Sequence, residues 1–227
     1  MEKYFKRFEK KYLVDYQQLK KFKEIISKHT EVDNFGVQLI QNIYFDNDDW
    51  GIVRNSIEKP LFKEKFRLRF YGVESDGACV FVESKKKFEG IVYKRRVSLK
   101  LDSILKLGIK AALLEEGSQI AKELQYFVER EKTYEKMFLS YKRKAYKGIK
   151  DESLRITFDF DIKYRLENFN FSKPEGGTLL LGKDLTLIEI KNNKNFPLWL
   201  VRALSENNIF ATSFSKYGRC FMEAMAV

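Results

Sequence analysis

The stretch "KEKFRLRFYG", residues 63–72, alternates charged and apolar side chains almost without a break. Successive side chains of a β-strand point to opposite faces, so this pattern predicts a strand with one cationic and one apolar face. The cationic face would hold Lys65, Arg67 and Arg69, and the apolar face Phe66, Leu68 and Phe70. One such strand alone is typical of a half-buried sheet whose charged face meets water. What decides the fold is whether other strands repeat the pattern.

The composition bounds the size of the fold and the kind of partner. The chain has 227 residues, of which 44% are hydrophobic and 15% aromatic. This is enough for a substantial core, and we expect a single domain over residues 1–227. Lys and Arg number 43 against 32 Asp and Glu, a net charge of +11. This excess favours an acidic partner, and charge alone does not distinguish nucleotide, nucleic acid, polyphosphate and anionic membrane surface.

Several other classes of protein are disfavoured. The sequence contains no run of about 18 apolar residues, the length that would predict a membrane span. The opening "MEKYFKRFEKKYLV" has no apolar signal-peptide core, so we expect a cytoplasmic location. Cys79 and Cys220 belong to no CxxC motif or Cys/His cluster. We expect two reduced core thiols rather than a zinc site or a disulfide. The only histidine, His29, is expected at the end of a helix rather than as a catalytic base.

Hydrophobic periodicity predicts mainly antiparallel strands with helices at intervals. Strands are predicted for "FEKKYLV" and "GVQLIQNIYFD", and at about 64–72, 78–87, 90–99, 135–146, 153–163 and 185–192. Helices are predicted for "YQQLKKFKEIISKH", for a region at about 102–131 and for two C-terminal segments. This order indicates an α+β fold, mainly antiparallel β, with a closed or nearly closed barrel of about eight strands.

The charge pattern of the opening stretch recurs along the chain. In "LRITFDFDI", residues 154–162, one face holds Arg155, Thr157 and Asp159, and in "LIEIKN" one face holds Glu189 and Lys191. The same split is found for Lys94 with Arg96 and, less cleanly, for Glu9 with Lys11 and for Glu83 with Lys85. An open sheet would show these charges to water, whereas a barrel would point them into its lumen.

Carboxylates among the cations help to separate the functions. A nucleic-acid surface gains affinity from Lys and Arg, and Glu9, Glu83 or Glu189 on the same face would repel the phosphate backbone. Carboxylates suit a basic site if Mg²⁺ or Mn²⁺ bridges them to phosphate oxygens. Cross-strand salt bridges explain the pattern equally well. From the pattern alone, both explanations stay open.

A series of segments resembles a known family. They are, in order, "RFEKKYLV", "IYFDN", "KFRLRFYG", "VESKKKFEGIVYKRRVSL", "SYKRKAY", "LRITFDFDI", "LIEIKN" and "SFSKYGR". Together they are similar to the VTC domain, the polyphosphate polymerase domain of the vacuolar transporter chaperone family, within the triphosphate tunnel metalloenzyme (CYTH-like) superfamily. The resemblance covers nearly the whole chain and implies an eight-stranded closed tunnel barrel with flanking helices, whose lumen is lined by cations and acidic residues.

The resemblance also implies roles for individual residues. The tunnel cations that act on phosphate would be Lys11, Arg67, Arg69, Lys85, Lys94, Arg96, Arg143 and Arg155. Further substrate contacts would come from Lys65, Tyr141, Lys191, Ser215 and Lys216. Glu189 matches the family's metal-binding acid for Mn²⁺ or Mg²⁺, and Glu9 and Glu83 are further candidates. For Glu9, Glu83 and Asp159 the alternative is to orient neighbouring cations.

The implied activity is metal-dependent transfer of the terminal phosphate of a nucleoside triphosphate to a growing polyphosphate chain. The alternatives are hydrolysis of inorganic or organic triphosphate, and a non-catalytic module that binds polyphosphate or nucleotide. Related hydrolases and cyclases open with ExExK, whereas this chain has Arg7, Glu9 and Lys11, which weakens a two-metal triphosphatase or a cyclase. The expected partners are nucleoside triphosphate and polyphosphate, not nucleic acid. No transmembrane segment is expected, and a membrane-protein partner is left open.

Overall fold

The computed structural model describes residues 8–58, 60–75, 77–89 and 91–226. Its strands are β1 (Phe8–Val14), β2 (Thr30–Asp46), β3 (Phe62–Tyr71), β4 (Cys79–Phe88), β5 (Ile91–Lys100), β6 (Tyr134–Gly148), β7 (Arg155–Arg165), β8 (Thr178–Leu179), β9 (Thr186–Asn192) and β10 (Ala211–Thr212). Its helices are α1 (Tyr16–Ile26), α2 (Gly51–Ile57), α3 (Leu101–Leu107), α4 (Ile109–Glu116), α5 (Gln119–Arg130), α6 (Leu198–Glu206) and α7 (Lys216–Met225). The prediction of an α+β fold, mainly antiparallel β, is confirmed.

The chain divides into two compact units. The first unit contains the described residues up to Gln38, with Tyr141–Ile162 and Leu179–Ser215. The second unit contains Leu39–Ser140, Lys163–Thr178 and the described residues from Lys216 onwards. Strands β2, β6, β7 and β8 contribute residues to both units. The single domain expected over residues 1–227 stays a prediction.

The first unit has its own apolar core. Strands β1, β7 and β9 turn one face towards helices α1 and α6, because their apolar residues fall at alternate positions. The core includes Tyr12, Val14, Phe22, Ile26, Ile156, Phe158, Ile188, Ile190 and Leu200. The charged residues at the intervening positions therefore lie on the other face of these strands.

The second unit buries the apolar face of the opening stretch. Phe66, Leu68 and Phe70 of β3 pack with Val80 and Val82 of β4. Helix α5 covers this face with side chains that recur at helical spacing, namely Leu124, Phe127 and Val128. The cationic positions of β3 therefore lie on the face that α5 does not cover.

The order in which hydrogen bonds pair the strands differs from their order in the sequence. The first unit contains the order β10-β1-β9-β7, continued by β6 and β2, and the second unit continues with β2-β3-β4-β5. In the described part of the chain no hydrogen-bonded pair joins β5 to β10, so the sheet is not closed in this way and the closed eight-stranded barrel is not confirmed. After β5 the chain enters helices α3 to α5, and α5 contacts this last strand.

The helices differ from the sequence prediction in one region. The single helical region expected at about 102–131 is three helices, interrupted at Gly108 and Gly117, whose φ angles are 79° and 72°. Glycine adopts positive φ without a Cβ clash, so these residues end helices that apolar periodicity alone would continue. No helix in the ranges described above is long and apolar enough to cross a bilayer.

The cysteine and histidine expectations are partly correct. Cys220 is buried, as expected of a core thiol, but Cys79 is exposed because it begins β4 at the rim of the second unit. His29 follows α1 and stacks on Trp199 with ring centroids 4.1 Å apart.

Candidate functional site

Strand register gathers the cations of the second unit on one face. Lys65 pairs with Lys85, which pairs with Lys94. Two residues away on each strand, Glu83 pairs with Arg67 on one side and with Arg96 on the other. These rows occupy one face because each row is two residues from the next on every strand. Arg69 adds a cation two residues further along β3.

Glu83 lies at the centre of this charged face and is 2% exposed. Its Oε2 accepts hydrogen bonds of 2.9 and 2.7 Å from Nε and Nη2 of Arg67, and Nε of Arg69 lies 3.9 Å from the same oxygen. Its Oε1 lies 2.7 Å from Nζ of Lys94 and accepts a 2.6 Å bond from Nε of Arg96. We call these five residues the Glu83 cluster.

The cations determine the charge of the central carboxyl group. Burial alone raises the pKa of Glu83, but Arg67, Arg69 and Lys94 hold that pKa well below its ordinary value of 4.5. The carboxylate is ionised at neutral pH, and both of its oxygens contact cations. This arrangement favours the orienting role for Glu83 over metal ligation.

Polar and aromatic groups that the sequence analysis did not single out hold two of these arginines. Asn42 is completely buried, and its Oδ1 accepts a 2.9 Å bond from Nε of Arg69. The Arg96 guanidinium lies 4.1 Å from the Phe81 ring centroid and donates a 3.3 Å bond to the Tyr71 hydroxyl. Burial raises the pKa of Tyr71, but the charges of Arg69 and Arg96 outweigh burial and leave that pKa lowered. The guanidinium groups are therefore fixed from more than one side.

The first unit carries a second charged face, in which acids and bases alternate. Glu9 pairs with Lys191, and Lys11 pairs with Glu189, across β1 and β9. Nζ of Lys191 lies 3.7 Å from Glu9 Oε2 and contacts Glu189 Oε1. Nζ of Lys11 lies 3.8 Å from Glu9 Oε1 and donates a 2.8 Å bond to the Phe214 carbonyl. We call Glu9, Lys11, Glu189 and Lys191 the acid–base square.

Arg143 of β6 and Arg155 of β7 lie in the same unit. Arg143 donates two hydrogen bonds to Asp159, from Nε at 2.6 Å and from Nη2 at 2.7 Å, and Asp159 is completely buried. This two-point geometry fits an orienting role for Asp159. Arg155 is more exposed and lies 3.3 Å from Asp33. Periodicity did not distinguish Arg143, which the family resemblance identified.

The remaining residues predicted for the site fall at three places. Tyr141 is 3% exposed and its ring lies 5.3 Å from the Arg143 guanidinium. Ser215 ends the first unit, and Lys216 begins α7 in the second. Arg7, which replaces the first glutamate of ExExK, lies outside the described residues.

The acid–base square is the best candidate for a divalent cation. The described residues contain no group of three or more His, Cys, Asp and Glu side chains that could hold a metal. Glu9 and Glu189, however, both direct oxygens towards the ammonium of Lys191. Carboxylates that converge on a cation supply the hard oxygen ligands that Mg²⁺ takes, with phosphate and water completing its shell. The residues present fit such an ion, which would compete with Lys191.

Comparison with protein families decides the identity. The model of the VTC domain matches residues 6–224 of this chain. The chain belongs to the VTC domain family. The match includes both charged faces, since all the described residues of the Glu83 cluster and the acid–base square lie within it. Recognition of the family from the sequence is confirmed.

Solved structures similar to this VTC domain share little of its sequence. HpAC1 from Hippeastrum, a candidate adenylyl cyclase described as having a dominant triphosphatase activity, aligns with a TM-score of 0.50 and 17% identity over 92% of each chain. The PH1819 protein from Pyrococcus horikoshii OT3 aligns with a TM-score of 0.48 and 14% identity, over 96% of this chain and 98% of its own. At these identities the likeness to HpAC1 shows a shared fold alone.

Neutralising Glu83 is expected to destabilise the VTC domain. Glu83→Gln leaves four cations around a neutral amide, and we expect the free energy of unfolding at pH 7 to fall by about 2–4 kcal/mol. Because the folded pKa of Glu83 is lowered, its contribution is complete above pH 4.5 and is lost as the pH falls below that value. In urea unfolding, the difference in the free energy of unfolding between wild type and Glu83→Gln should therefore become smaller as the pH falls from 7 to 3.

The matched control is Glu123→Gln on α5, whose carboxylate pairs with Arg95 at 2.9 Å and is partly exposed. Surface pairs contribute little, so this change should cost less than about 1 kcal/mol at every pH. A Glu83→Gln variant as stable as wild type at pH 7 would show that the cations do not depend on this carboxylate.

Proposed function

We propose that this VTC domain is a metal-dependent polyphosphate polymerase, which transfers the terminal phosphate of a nucleoside triphosphate to a growing polyphosphate chain. The observation that carries the proposal is the Glu83 cluster within a VTC domain: four cations from strands β3 and β5, namely Arg67, Arg69, Lys94 and Arg96, held around one carboxylate of β4. A row of cations along strands suits a linear polyanion, whose charges repeat along its length.

Phosphoryl transfer requires mainly alignment and charge compensation from the protein. A terminal oxygen of the polyphosphate chain attacks the γ-phosphorus, the bond from that phosphorus to the bridging oxygen breaks, and the nucleoside diphosphate leaves with the electron pair. Arg67 and Arg96 can hold phosphate oxygens because their guanidinium groups are always charged and already oriented. Lys65, Lys85 and Lys94 would supply adaptable point charges along the chain.

The metal belongs to the proposal as well. Glu189, with Glu9, would hold Mn²⁺ or Mg²⁺ at the acid–base square. Such an ion, when bound, would offset charge on the triphosphate. Lys11 and Lys191 would then be released from their carboxylate partners and could contact phosphate. Asp159 would keep Arg143 oriented in the same unit.

The second candidate is hydrolysis of triphosphate, with water in place of the polyphosphate acceptor. It is favoured by the shared fold of HpAC1, which is described as having a dominant triphosphatase activity. Purified protein incubated with ATP and Mn²⁺ separates the candidates when the phosphate products are resolved by gel. We expect long polymer together with ADP. Orthophosphate without polymer would favour the triphosphatase, and intact ATP would favour a binding module.

Triphosphate should stabilise the protein strongly, and duplex DNA should not. At a concentration 100 times its dissociation constant, inorganic triphosphate should raise the melting temperature by about 5–10 °C. The cations alternate with Glu83, Asp159 and Glu189 and do not form the continuous basic surface that a duplex needs. Differential scanning fluorimetry at about 150 mM salt, where the Debye length is about 8 Å, tests both ligands. Stabilisation by DNA that equals that by triphosphate would favour a nucleic-acid surface instead.

Glu189→Gln should separate metal binding from phosphate binding. The amide keeps the shape of the side chain but lacks the charge that a divalent cation requires. We expect turnover to fall about 100-fold or more, Mn²⁺ binding measured by calorimetry to weaken, and triphosphate binding without metal to persist. The neighbours Ile188 and Ile190 stay in the core, so the fold should be retained.

Glu123→Gln serves as the control for this experiment too, since Glu123 lies on α5 and pairs with Arg95. It should leave turnover and Mn²⁺ binding unchanged. If Glu189→Gln has the same turnover as wild type at limiting Mn²⁺, Glu189 is not the metal ligand. The same experiment should then be carried out at Glu9.

A further inference from the structure

A buried carboxylate outside the charged face connects strand β2 to helix α7. Asp46 ends β2 and is completely buried. Its Oδ1 accepts backbone N–H bonds from Asn47 and Ile52 at 3.0 and 2.9 Å, and its Oδ2 accepts one from Val53 at 2.9 Å. The hydroxyl of Tyr217 donates a 2.7 Å bond to the same Oδ2. The phosphoryl transfer proposed above uses neither Asp46 nor Tyr217.

Tyr217 connects the buried Asp46 carboxylate to Tyr44. The two rings stack with centroids 4.3 Å apart and planes within 6° of parallel. Burial and the charge of Asp46 raise the pKa of Tyr217, so its hydroxyl stays protonated and remains a donor. A donor fixed on an immobile carboxylate leaves the Tyr217 ring little freedom to rotate, and the ring stacked on it shares that constraint.

Tyr44 in turn contacts a cation of the Glu83 cluster. Nη1 of Arg67 donates a 3.0 Å bond to the Tyr44 hydroxyl, and the guanidinium lies 5.8 Å from the Tyr44 ring centroid. The opposite edge of the same guanidinium, Nε and Nη2, is bound to Glu83. The side chain of Arg67 is 20% exposed. The plane of this guanidinium is therefore set from two sides.

We propose that Asp46, Tyr217 and Tyr44 form a relay that positions Arg67 for phosphate, and that Tyr44 and Tyr217 are positioning residues for the reaction. This inference rests on the proposed function, because it assigns them an effect on triphosphate binding. Glu83 holds the guanidinium of Arg67 by one edge, through a single oxygen, Oε2. The Tyr44 hydroxyl supplies the second point that fixes the plane, and small errors of position weaken binding to phosphate.

The relay also reaches neighbouring cations. Nζ of Lys65 lies 5.9 Å from the Tyr217 ring centroid, and Lys216 precedes Tyr217 at the start of α7. Asp46 thus fixes the beginning of the helix that carries Lys216. All of these residues lie in the second unit, so the relay does not depend on any contact outside it.

The test measures binding of inorganic triphosphate, without metal, by calorimetry in Tyr→Phe variants. Tyr44→Phe and Tyr217→Phe each remove one hydroxyl and keep both rings. We expect each to weaken affinity about three- to tenfold, the effect of one lost hydrogen bond. The double variant should be no weaker than the weaker single variant, because the two residues act in series. Tyr164→Phe, at a tyrosine equally buried in the same unit beside Cys220, should bind like wild type.

A double-mutant cycle that combines Tyr44→Phe with Arg67→Lys distinguishes positioning of Arg67 from a general loss of stability. Lysine lacks the planar fork, so Tyr44→Phe should change affinity less than about twofold in the Arg67→Lys background. An equal loss in both backgrounds would overturn the relay, as would wild-type affinity in both Tyr44→Phe and Tyr217→Phe. Tyr44→Phe decides the matter alone if Tyr217→Phe fails to fold. Absence of triphosphate binding in wild type overturns the proposed function itself, and the relay with it.

Discussion

Repulsion among cations is the constraint on which the charged face of the second unit depends. Two unit charges 4 Å apart near a protein surface repel by about 4 kcal/mol, and this face places four cations within 4 Å of Glu83. One buried carboxylate at their centre makes the arrangement tolerable, because each cation has an opposite charge at contact distance. With four cations around one carboxylate, the cluster keeps a net positive charge.

The separation of faces allows this charged surface to exist without loss of the core. Alternation along β3 sends Phe66, Leu68 and Phe70 towards α5 while the arginines occupy the opposite face. The first unit solves the same problem with α1 and α6 over β1, β7 and β9. In each unit the helices therefore cover the apolar side of the strands and leave the charges on the other side.

The two units balance their charges differently, and this difference bears on chemistry. In the second unit one acid holds four bases, which gives a fixed positive field. In the first unit Glu9 and Glu189 share Lys191, and it is here that we propose a divalent cation in place of the ammonium. Under the proposed function, the arginines would align the phosphates and the cation would compensate their charge.

The sequence by itself determined which side chains share a face and which family the chain belongs to. Residues two apart on a strand must point the same way, so the grouping of Arg67 with Arg69, or of Glu189 with Lys191, follows from local geometry. The resemblance carried by the motifs added Arg143 to the predicted site, whereas alternation did not, and that role stays a prediction. Three helices in place of one region were not foreseen, because Gly108 and Gly117 take positive φ angles that depend on the whole turn.

Only the tertiary structure decided which charges meet. Strand register places Glu83 between Arg67 and Arg96, and a shift of one residue would put other side chains on that face. The bond from Tyr217 to Asp46 joins residues 171 positions apart. No local pattern encodes a contact at that separation, since it forms only when α7 packs back against the end of β2. The cations could be predicted as a group, but the partners that orient each of them follow from packing.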